Sequence, residues 1–214
     1  VMATGIVSIA AQMLGFVAIG IGLFALNVVF YIVLVTFTVM RAVLFSPSIR
    51  ADLLDHGRCV GFFTMVAGTC VLGSQFLVVM PNRSIALLLW CAGIVLWCLF
   101  TYTIFTSLTV KAKKPTLPQG INGGWLVAVV ATQSVSVLGT QLANDFHADS
   151  QELALFFSLT MWLGGGMLYI WIISLIFYRY TFFPLEPSDL APPYWINMGA
   201  MAISTLAGSM LIIA

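Results

Sequence analysis

Long apolar stretches limit the folds that this chain can adopt more than any other feature of its sequence. A helix that crosses about 30 Å of hydrocarbon needs about 20 apolar residues, and six stretches reach that length while a shorter one opens the chain. Of the 214 residues, 61% are hydrophobic and 7% are charged, which is more apolar surface than a soluble fold of this size can bury. The sequence therefore predicts an all-α, multi-pass integral membrane protein of the cell membrane. The predicted spans are residues 1–14, 17–40, 60–80, 85–108, 121–142, 153–178 and 195–214.

The basic residues fall on one side of this predicted topology. Connectors after the second, fourth and sixth spans hold seven of the eight Lys and Arg residues, and the eighth, Arg83, follows the third span. The positive-inside rule places the richer side in the cytoplasm, so odd-numbered spans are expected to run from inside to outside. A net charge of +1 gives no electrostatic basis for a nucleic-acid partner. The seven residues are Arg41, Arg50, Arg58, Lys111, Lys113, Lys114 and Arg179.

Odd-numbered spans also resemble one another in sequence. This similarity predicts a single transmembrane domain fragment made of parallel-repeated helical hairpins. The correspondences are Gly5 with Gly68 and Gln12 with Gln75 at a shift of 63, VLGSQ at 71–75 with VLGTQ at 137–141 at a shift of 66, and, more loosely, Trp125 with Trp195 at a shift of 70. The predicted hairpins cover about 1–45, 57–110 and 119–180, with a half-hairpin at 191–214.

Small and hydroxylated residues are concentrated in the odd-numbered spans, whereas bulky aliphatic and aromatic residues dominate the even ones. Gly5, Ser8 and Gln12 are spaced i, i+3, i+7 and therefore share one helix face. Small residues can serve close helix packing alone, but their repetition favours an inner ring of odd helices around a shared axis, with even helices facing lipid. The candidate pathway residues are Gly5, Ser8, Gln12, Gly68, Gln75, Ser134, Gln141 and Ser204.

The predicted spans contain no Asp, Glu, Lys or His, and this narrows the possible functions. A proton relay inside the membrane needs a titratable group, and a serine hydrolase needs a base beside its nucleophile. We therefore expect no enzymatic activity, no metal site and no cofactor. Hydroxyls, glutamines and backbone N–H groups can instead replace part of an anion's hydration shell without a trapping charge, which favours a conduit for small anions.

Three segments resemble a known family. VMATGIVSI at 1–9, GINGGWL at 120–126 and PPYWINMGAMAI at 192–203 are similar to the tellurite-resistance and C4-dicarboxylate transporter family. This family is also called the voltage-dependent anion channel family, and it includes TehA-like bacterial proteins, yeast malate and sulfite transporters and the plant slow anion channel. The resemblance covers essentially the whole chain.

The resemblance implies ten transmembrane helices in five hairpins around a pseudo-fivefold pore, assembled as a homotrimer. Seven of the ten expected helices are present in this sequence, so the chain is expected to be a fragment. In the family a phenylalanine of the ninth helix plugs the pore, and no residue here can be assigned that role.

The activity that the resemblance implies is passive movement of small inorganic or organic anions, without a cofactor. Tellurite and dicarboxylates are substrates of particular members, and the sequence does not choose between them. The alternative is a proton-coupled secondary transporter of mono- or dicarboxylates, which would need a titratable group in the membrane, supplied by the helices that are absent from this sequence. A structural membrane subunit is a weaker alternative, because it would not require polar residues on every odd helix.

Overall fold

A computed structural model describes residues 1–184, 186–187 and 192–214, and all regular secondary structure in these ranges is helical. Residue 191, where the predicted half-hairpin begins, lies outside the described residues. The helices are α1 (Met2–Met13), α2 (Val17–Leu44), α3 (Ser46–Leu53), α4 (Phe63–Val78), α5 (Arg83–Val110), α6 (Leu117–Gly120), α7 (Leu126–Ala143), α8 (Ala148–Phe182) and α9 (Ile196–Ile213). Short 3₁₀ turns at Cys59–Phe62, Gly123–Trp125 and Pro192–Trp195 directly precede α4, α7 and α9.

Six helical segments in the described part of the chain are long and apolar enough to cross a membrane. The prediction of an all-α, multi-pass membrane protein is confirmed. The first of the seven predicted stretches forms α1, which has 12 residues and measures about 18 Å at 1.5 Å per residue, too short to span the hydrocarbon alone. The six segments are Val17–Leu44, Cys59–Val78, Arg83–Val110, Gly123–Ala143, Ala148–Phe182 and Pro192–Ile213.

The helices form two layers. In the inner layer α1, α4, α7 and α9 lie in a row, each in contact with the next, and α2, α5 and α8 pack outside them. Nearly every residue of α7 is buried, whereas the outer helices expose large apolar side chains along much of their length. Such apolar surface is stable against lipid rather than water. The expected division between odd and even spans holds for α4 and α7, whereas α9 is as exposed as the outer helix α2.

All four inner helices run in the same direction. Residue numbers rise together along the α1–α4 and α4–α7 contacts, and α8 runs antiparallel to both α7 and α9. The N-termini of the inner helices therefore gather at the end of the bundle that also carries the basic connectors, called the basic end below. The contacts that set these directions are Val1 with Gly68, Gly5 with Val71, Val60 with Gly124, Gly73 with Leu138, Ser136 with Ser158, Trp162 with Ser204 and Tyr169 with Asn197.

The turn between α1 and α2 occupies residues 14–16. Gly15 has a φ of 85°, a left-handed conformation that glycine adopts without the steric cost that a side chain would add. Residues 14 and 15, where the sequence predicts the boundary between two spans, thus form a tight hairpin turn.

The two segments that carry most of the family resemblance pack against each other at the basic end. The 3₁₀ turns Gly123–Trp125 and Pro192–Trp195 are in contact, and a Cβ atom on Gly123 would overlap the Pro193 carbonyl oxygen and the Tyr194 Cα atom. Glycine at 123 is therefore required by the close approach of two backbones.

Candidate functional site

Each outer helix contacts the next inner helix through two aromatic residues seven positions apart. Seven residues are two helical turns, so both rings of a pair lie on one face. The first members are Phe24, whose ring meets the Phe76 ring edge-on at 5.0 Å, Trp90, whose Nε1 donates to the Val135 carbonyl at 3.0 Å, and Trp162, whose Nε1 donates to the Ser204 carbonyl at 2.9 Å. The second members are Tyr31 with Thr69 at 3.0 Å, Trp97 with Thr132 at 2.8 Å and Tyr169 with Asn197 at 3.0 Å.

Contacts inside the hairpins repeat as well. At the crossing of each inner helix with its own outer helix, a glycine faces a larger side chain, which lets the two backbones approach closely. These pairs are Gly5 with Asn27, Gly93 with Cys70 and Gly165 with Gln133. One turn further, Ser8 donates to the Gly20 carbonyl at 2.8 Å, and Ser136 donates to the Ser158 carbonyl at 2.7 Å.

The corresponding contacts fix a register that differs from the sequence alignment at both steps. They make Gly5 equivalent to Cys70 and Cys70 equivalent to Gln133, which are shifts of 65 and 63, whereas the alignment uses shifts of 63 and 66. Each residue on an α-helix adds a rotation of about 100°. The three glutamines that the alignment treats as equivalent therefore do not face one direction.

Two of these glutamines contact the outer helix α2. Gln75 is fully buried and accepts a hydrogen bond from Asn27 Nδ2. Gln12 is half-buried and packs against Gly20. Gln141, by contrast, keeps part of its side chain accessible at the far end of α7.

The small solvent exposure of α7 is confined to one face of the helix. Val127, Val130 and Val137 are each 7% exposed and Gln141 is half-buried, while the remaining residues of α7 are almost inaccessible. Ser134 lies on the same face, because the spacing through these five residues is 3, 4, 3, 4. This face is called the α7 stripe below.

The α7 stripe meets the other inner helices in an apolar cluster near the basic end. Ala67 of α4, Val130 of α7 and Ala200 of α9 belong to this cluster, and Met2 of α1 packs against it. Apolar side chains of α4, α7 and α9 therefore share one cluster at this level, with Met2 of α1 packed against it. Ser134 lies one turn beyond Val130.

The remaining predicted site residues have the following surroundings. Gly5, Ser8 and Gly68 are buried in helix contacts, with Gly68 against Val1. Ser134 donates to the Val130 carbonyl of its own helix at 2.7 Å, and Ser204, half-buried, donates to the Ala200 carbonyl at 2.7 Å. Each of these two hydroxyls donates its hydrogen within its own helix. Only the oxygen lone pairs remain available, and these act as acceptors.

Several buried amide atoms have no hydrogen-bond partner among the described residues. Two of the residues concerned, Asn27 and Gln133, are fully buried and were not among the predicted pathway residues. Asn27 could have been found, because it is the one amide within the apolar stretch 17–40. A polar side chain that is buried among lipid-facing helices needs a protein partner. The unpartnered amide atoms are Gln12 Oε1, Asn27 Oδ1, Gln75 Nε2, Gln133 Oε1 and Gln141 Oε1.

Ionic contacts at the basic end centre on Asp52. Its carboxylate bonds to Arg58 at 3.1 Å and to Arg41. Hydrogen bonds from Arg58 and Arg41 lower the pKa of Asp52 below its ordinary value. Nearby, burial and the positive charge of Lys111 lower the pKa of His56. Within the described ranges no three His, Cys, Asp or Glu side chains are grouped as metal ligands would be.

Arg179, at the end of α8, connects the two family-specific segments. It is 7% exposed, and its guanidinium donates to the Ile121 carbonyl at 2.9 Å and to the Tyr194 hydroxyl. Hydrogen bonds to a charged group are stronger than neutral ones. Arg179 thereby ties the starts of α7 and α9 together.

Comparison with known proteins agrees with the resemblance noted above. The family model described as "Voltage-dependent anion channel" matches residues 1–212. An uncharacterized transporter of Methanocaldococcus jannaschii is 25% identical over 88% of this chain and 54% of its own length, and a second from the same organism is 24% identical over 86% and 54%. An uncharacterized membrane protein of Mycobacterium tuberculosis is 49% identical over 21% of this chain and 23% of its own length.

The chain spans about half the length of the two archaeal transporters that it matches. No solved structure matches it. Because the family model covers nearly every residue, this chain belongs to the voltage-dependent anion channel family.

Proposed function

We propose that the full-length protein moves small anions passively through the space between the inner helices α1, α4, α7 and α9. The observation that carries this proposal is the parallel direction of these helices. Each helix N-terminus bears about half a positive charge, and the basic connectors lie at the same end. Their fields add, so this end attracts anions and repels cations.

Neutral polar groups along the axis suit an ion that must leave as well as enter. On the α7 stripe, the amide N–H groups of Gln141, and the Ser134 hydroxyl when it turns away from the Val130 carbonyl, can donate to an anion without holding it by a fixed charge. We assign the pathway to this stripe and to Ser204. Gly5, Ser8, Gln12, Gly68 and Gln75 then act by shaping the contacts of α1 and α4 around it.

The apolar cluster of Met2, Ala67, Val130 and Ala200 forms a constriction of this pathway. Apolar constrictions can exclude water and thereby block ions until they widen. The proposal includes the homotrimer that the family resemblance implies, in which the apolar outer faces meet lipid or a neighbouring copy. Small inorganic anions and dicarboxylates are its candidate substrates.

The test is anion flux through the full-length protein in liposomes. Passive transport predicts that chloride, nitrate or malate moves down its own gradient and that an imposed pH gradient leaves the direction unchanged. The proton-coupled alternative predicts accumulation against the anion gradient when a proton gradient is imposed, and this result would overturn passive transport.

A matched pair of serines tests the pathway assignment. Ser134 lies on the α7 stripe, whereas Ser136, two residues away, donates to the Ser158 carbonyl of the outer helix. Ser134→Ala should lower flux with little loss of stability. Ser136→Ala should lower stability by about 1 kcal/mol and leave flux per folded molecule unchanged. The opposite pattern would exclude Ser134 from the pathway.

A further inference from the structure

Two cavities adjoin each other between the first and second hairpins. One, of about 600 Å³, lies among α1, α2, α4 and α5, and the other, of about 410 Å³, surrounds Arg41, Asp52 and Arg58 at the basic end. They share Thr38, Thr64 and Met65 as lining residues. Together they form one groove, called the α2–α5 groove below, that leads from a charged surface into an apolar interior.

The charged end of the groove has an excess of positive charge. Asp52 is a single carboxylate between two guanidinium groups, so the three side chains carry a net charge of +1. The side chains of Arg41 and Arg58 are 52% and 75% exposed. Each guanidinium has five N–H donors, and one shared carboxylate cannot accept from all of them. Donors therefore remain for an anionic head group.

The other end of the groove suits a hydrocarbon chain. Its two hydroxyls, Tyr31 and Thr69, are hydrogen-bonded to each other, so they need no polar occupant. Its lining comes from residues 1–3, α2, α4 and Leu96 of α5. The exposed faces of α2 and α5 are apolar, so hydrocarbon of the bilayer can adjoin the groove. The apolar lining includes Leu34, Val35, Val39, Met65 and Leu96.

The next pair of hairpins holds an equivalent groove that lacks the charged end. This groove, of about 420 Å³, lies between α5 and α8 and is called the α5–α8 groove. Trp97, Thr101 and Leu168 occupy the positions that Tyr31, Val35 and Leu96 occupy in the first. Its lining among the described residues contains no charged side chain. The molecule thus contains a control for the contribution of the arginines.

We propose that the α2–α5 groove binds an anionic amphiphile, with its head group on Arg41 and Arg58 and one hydrocarbon chain between α2 and α5. A phosphate diester of a phospholipid and the carboxylate of a fatty acid share this chemistry, because each combines one negative charge with an acyl chain. Binding at this groove does not depend on anion flux through the inner helices, so each proposal can fail alone.

The experiment uses the full-length protein in detergent and native mass spectrometry. Phosphatidylglycerol is titrated against phosphatidylcholine with identical acyl chains, and oleate and inorganic phosphate are titrated separately. We expect retention of phosphatidylglycerol over phosphatidylcholine by about tenfold, the contribution of one charge-assisted contact. If oleate also binds, a carboxylate head group is sufficient for recognition. If only phosphatidylglycerol binds, the groove recognises the phosphate diester.

Variants separate the head and tail contributions. R41Q combined with R58Q should abolish the preference for phosphatidylglycerol, whereas K113Q, which removes a charge from the same end of the protein, should keep it. V35W should exclude both lipids from the α2–α5 groove, and T101W, in the α5–α8 groove, should leave the preference intact. D52N removes the competing carboxylate and should strengthen binding of the anionic lipid.

Three results would overturn the proposal. Equal retention of the two phospholipids would exclude a role for the arginines. Loss of the preference in K113Q to the same extent as in the arginine variant would mean a diffuse effect of charge. Inorganic phosphate bound as tightly as phosphatidylglycerol would mean that the groove contributes nothing to binding of the tail.

Discussion

Asn27 and Gln75 form a buried amide pair that joins α2 to α4. Both side chains are fully buried, and Asn27 Nδ2 donates to Gln75 Oε1. A buried amide without a partner costs about 1–3 kcal/mol, whereas replacing both partners by apolar groups can be nearly neutral. The pair therefore specifies the packing of α2 against α4. Its effect on the free energy of unfolding is large only when one of the two partners is removed.

Asn27→Leu should lower the free energy of unfolding of the full-length protein by about 1–3 kcal/mol, because Gln75 would be left unpaired. The double variant Asn27→Leu, Gln75→Leu should recover most of this loss. Unfolding midpoints in one detergent provide the measurement. If the loss of stability in the double variant equalled the sum of the losses in the two single variants, the two amides would not act as a pair.

His56 should make stability depend on pH. Burial and Lys111 lower its pKa from the ordinary value of 6.5, while Asp55 opposes them. Between the lowered pKa and 6.5 the unfolded chain binds more protons than the folded one, so stability rises with pH across this window and is lost as the pH falls.

His56→Gln should therefore reduce the slope of unfolding midpoint against pH between pH 5 and 7, with no comparable change above pH 7. His147→Gln, in the exposed connector at the opposite end, is the control. An unchanged slope in His56→Gln would assign the pH dependence to another group.

At the scale of helices, long apolar stretches were sufficient to predict the spans, because crossing hydrocarbon imposes a minimum length. Helix α3 was missed because its eight residues, Ser46–Leu53, are too few for a clear periodic pattern. The repeat register was displaced by two residues between α1 and α4 and by three between α4 and α7, since matches among Gly, Ser and Leu do not determine rotation about a helix axis.

The aromatic pairs could have shown the repeat of the outer helices from sequence, although they do not determine the register of the inner helices. Their spacing of seven residues is conserved among all three outer helices, at 24 and 31, 90 and 97, and 162 and 169. The central face of α7 could not have been predicted, because every face of this helix is apolar or weakly polar. Only the packing of the neighbouring helices distinguishes the α7 stripe from its other faces.

Gly123 tests whether the family-specific segments act as one structural unit. Gly123→Ala should destabilise the protein by about 1–3 kcal/mol, typical of overpacking, because the added methyl group meets the backbone of Pro193 and Tyr194. Neither backbone can move without shifting the start of α9. Gly22→Ala, at a position with open space around it, is the matched control. Equal stability of both variants would mean that the two segments separate easily.

For the whole molecule, the direction of the inner helices determines the electric field along the axis. Four aligned N-termini and the basic connectors meet at one end, while the opposite connector between α7 and α8 carries Asp145 and Asp149. The dipoles of the inner helices therefore point the same way along the space between them, while the antiparallel outer helices oppose them from further away. Part of the field comes from backbone dipoles that no side-chain substitution removes.

Lys113 and Lys114 contribute the part of this field that can be altered. Both are exposed, whereas Arg41 and Arg58 are held by Asp52, and Lys111 donates to the Leu54 carbonyl at 2.7 Å. Exposed charges act over a Debye length of about 30 Å at 0.01 M salt but only about 8 Å at physiological salt. Their effect on an approaching anion is thus large in dilute salt and small in concentrated salt.

Lys113→Gln combined with Lys114→Gln should reduce single-channel anion conductance at 0.01 M salt and leave it nearly unchanged at 1 M, where screening already removes the contribution of the lysines. Conductance at low salt should not fall to zero, because the helix N-termini remain. Glu152→Gln, which removes one negative charge at the opposite end, is the control for position and should not lower conductance. If the lysine variant and the unmodified protein conduct equally at low salt, the two lysines do not attract anions. Their role would then be to set the topology, and the helix dipoles would attract the anions.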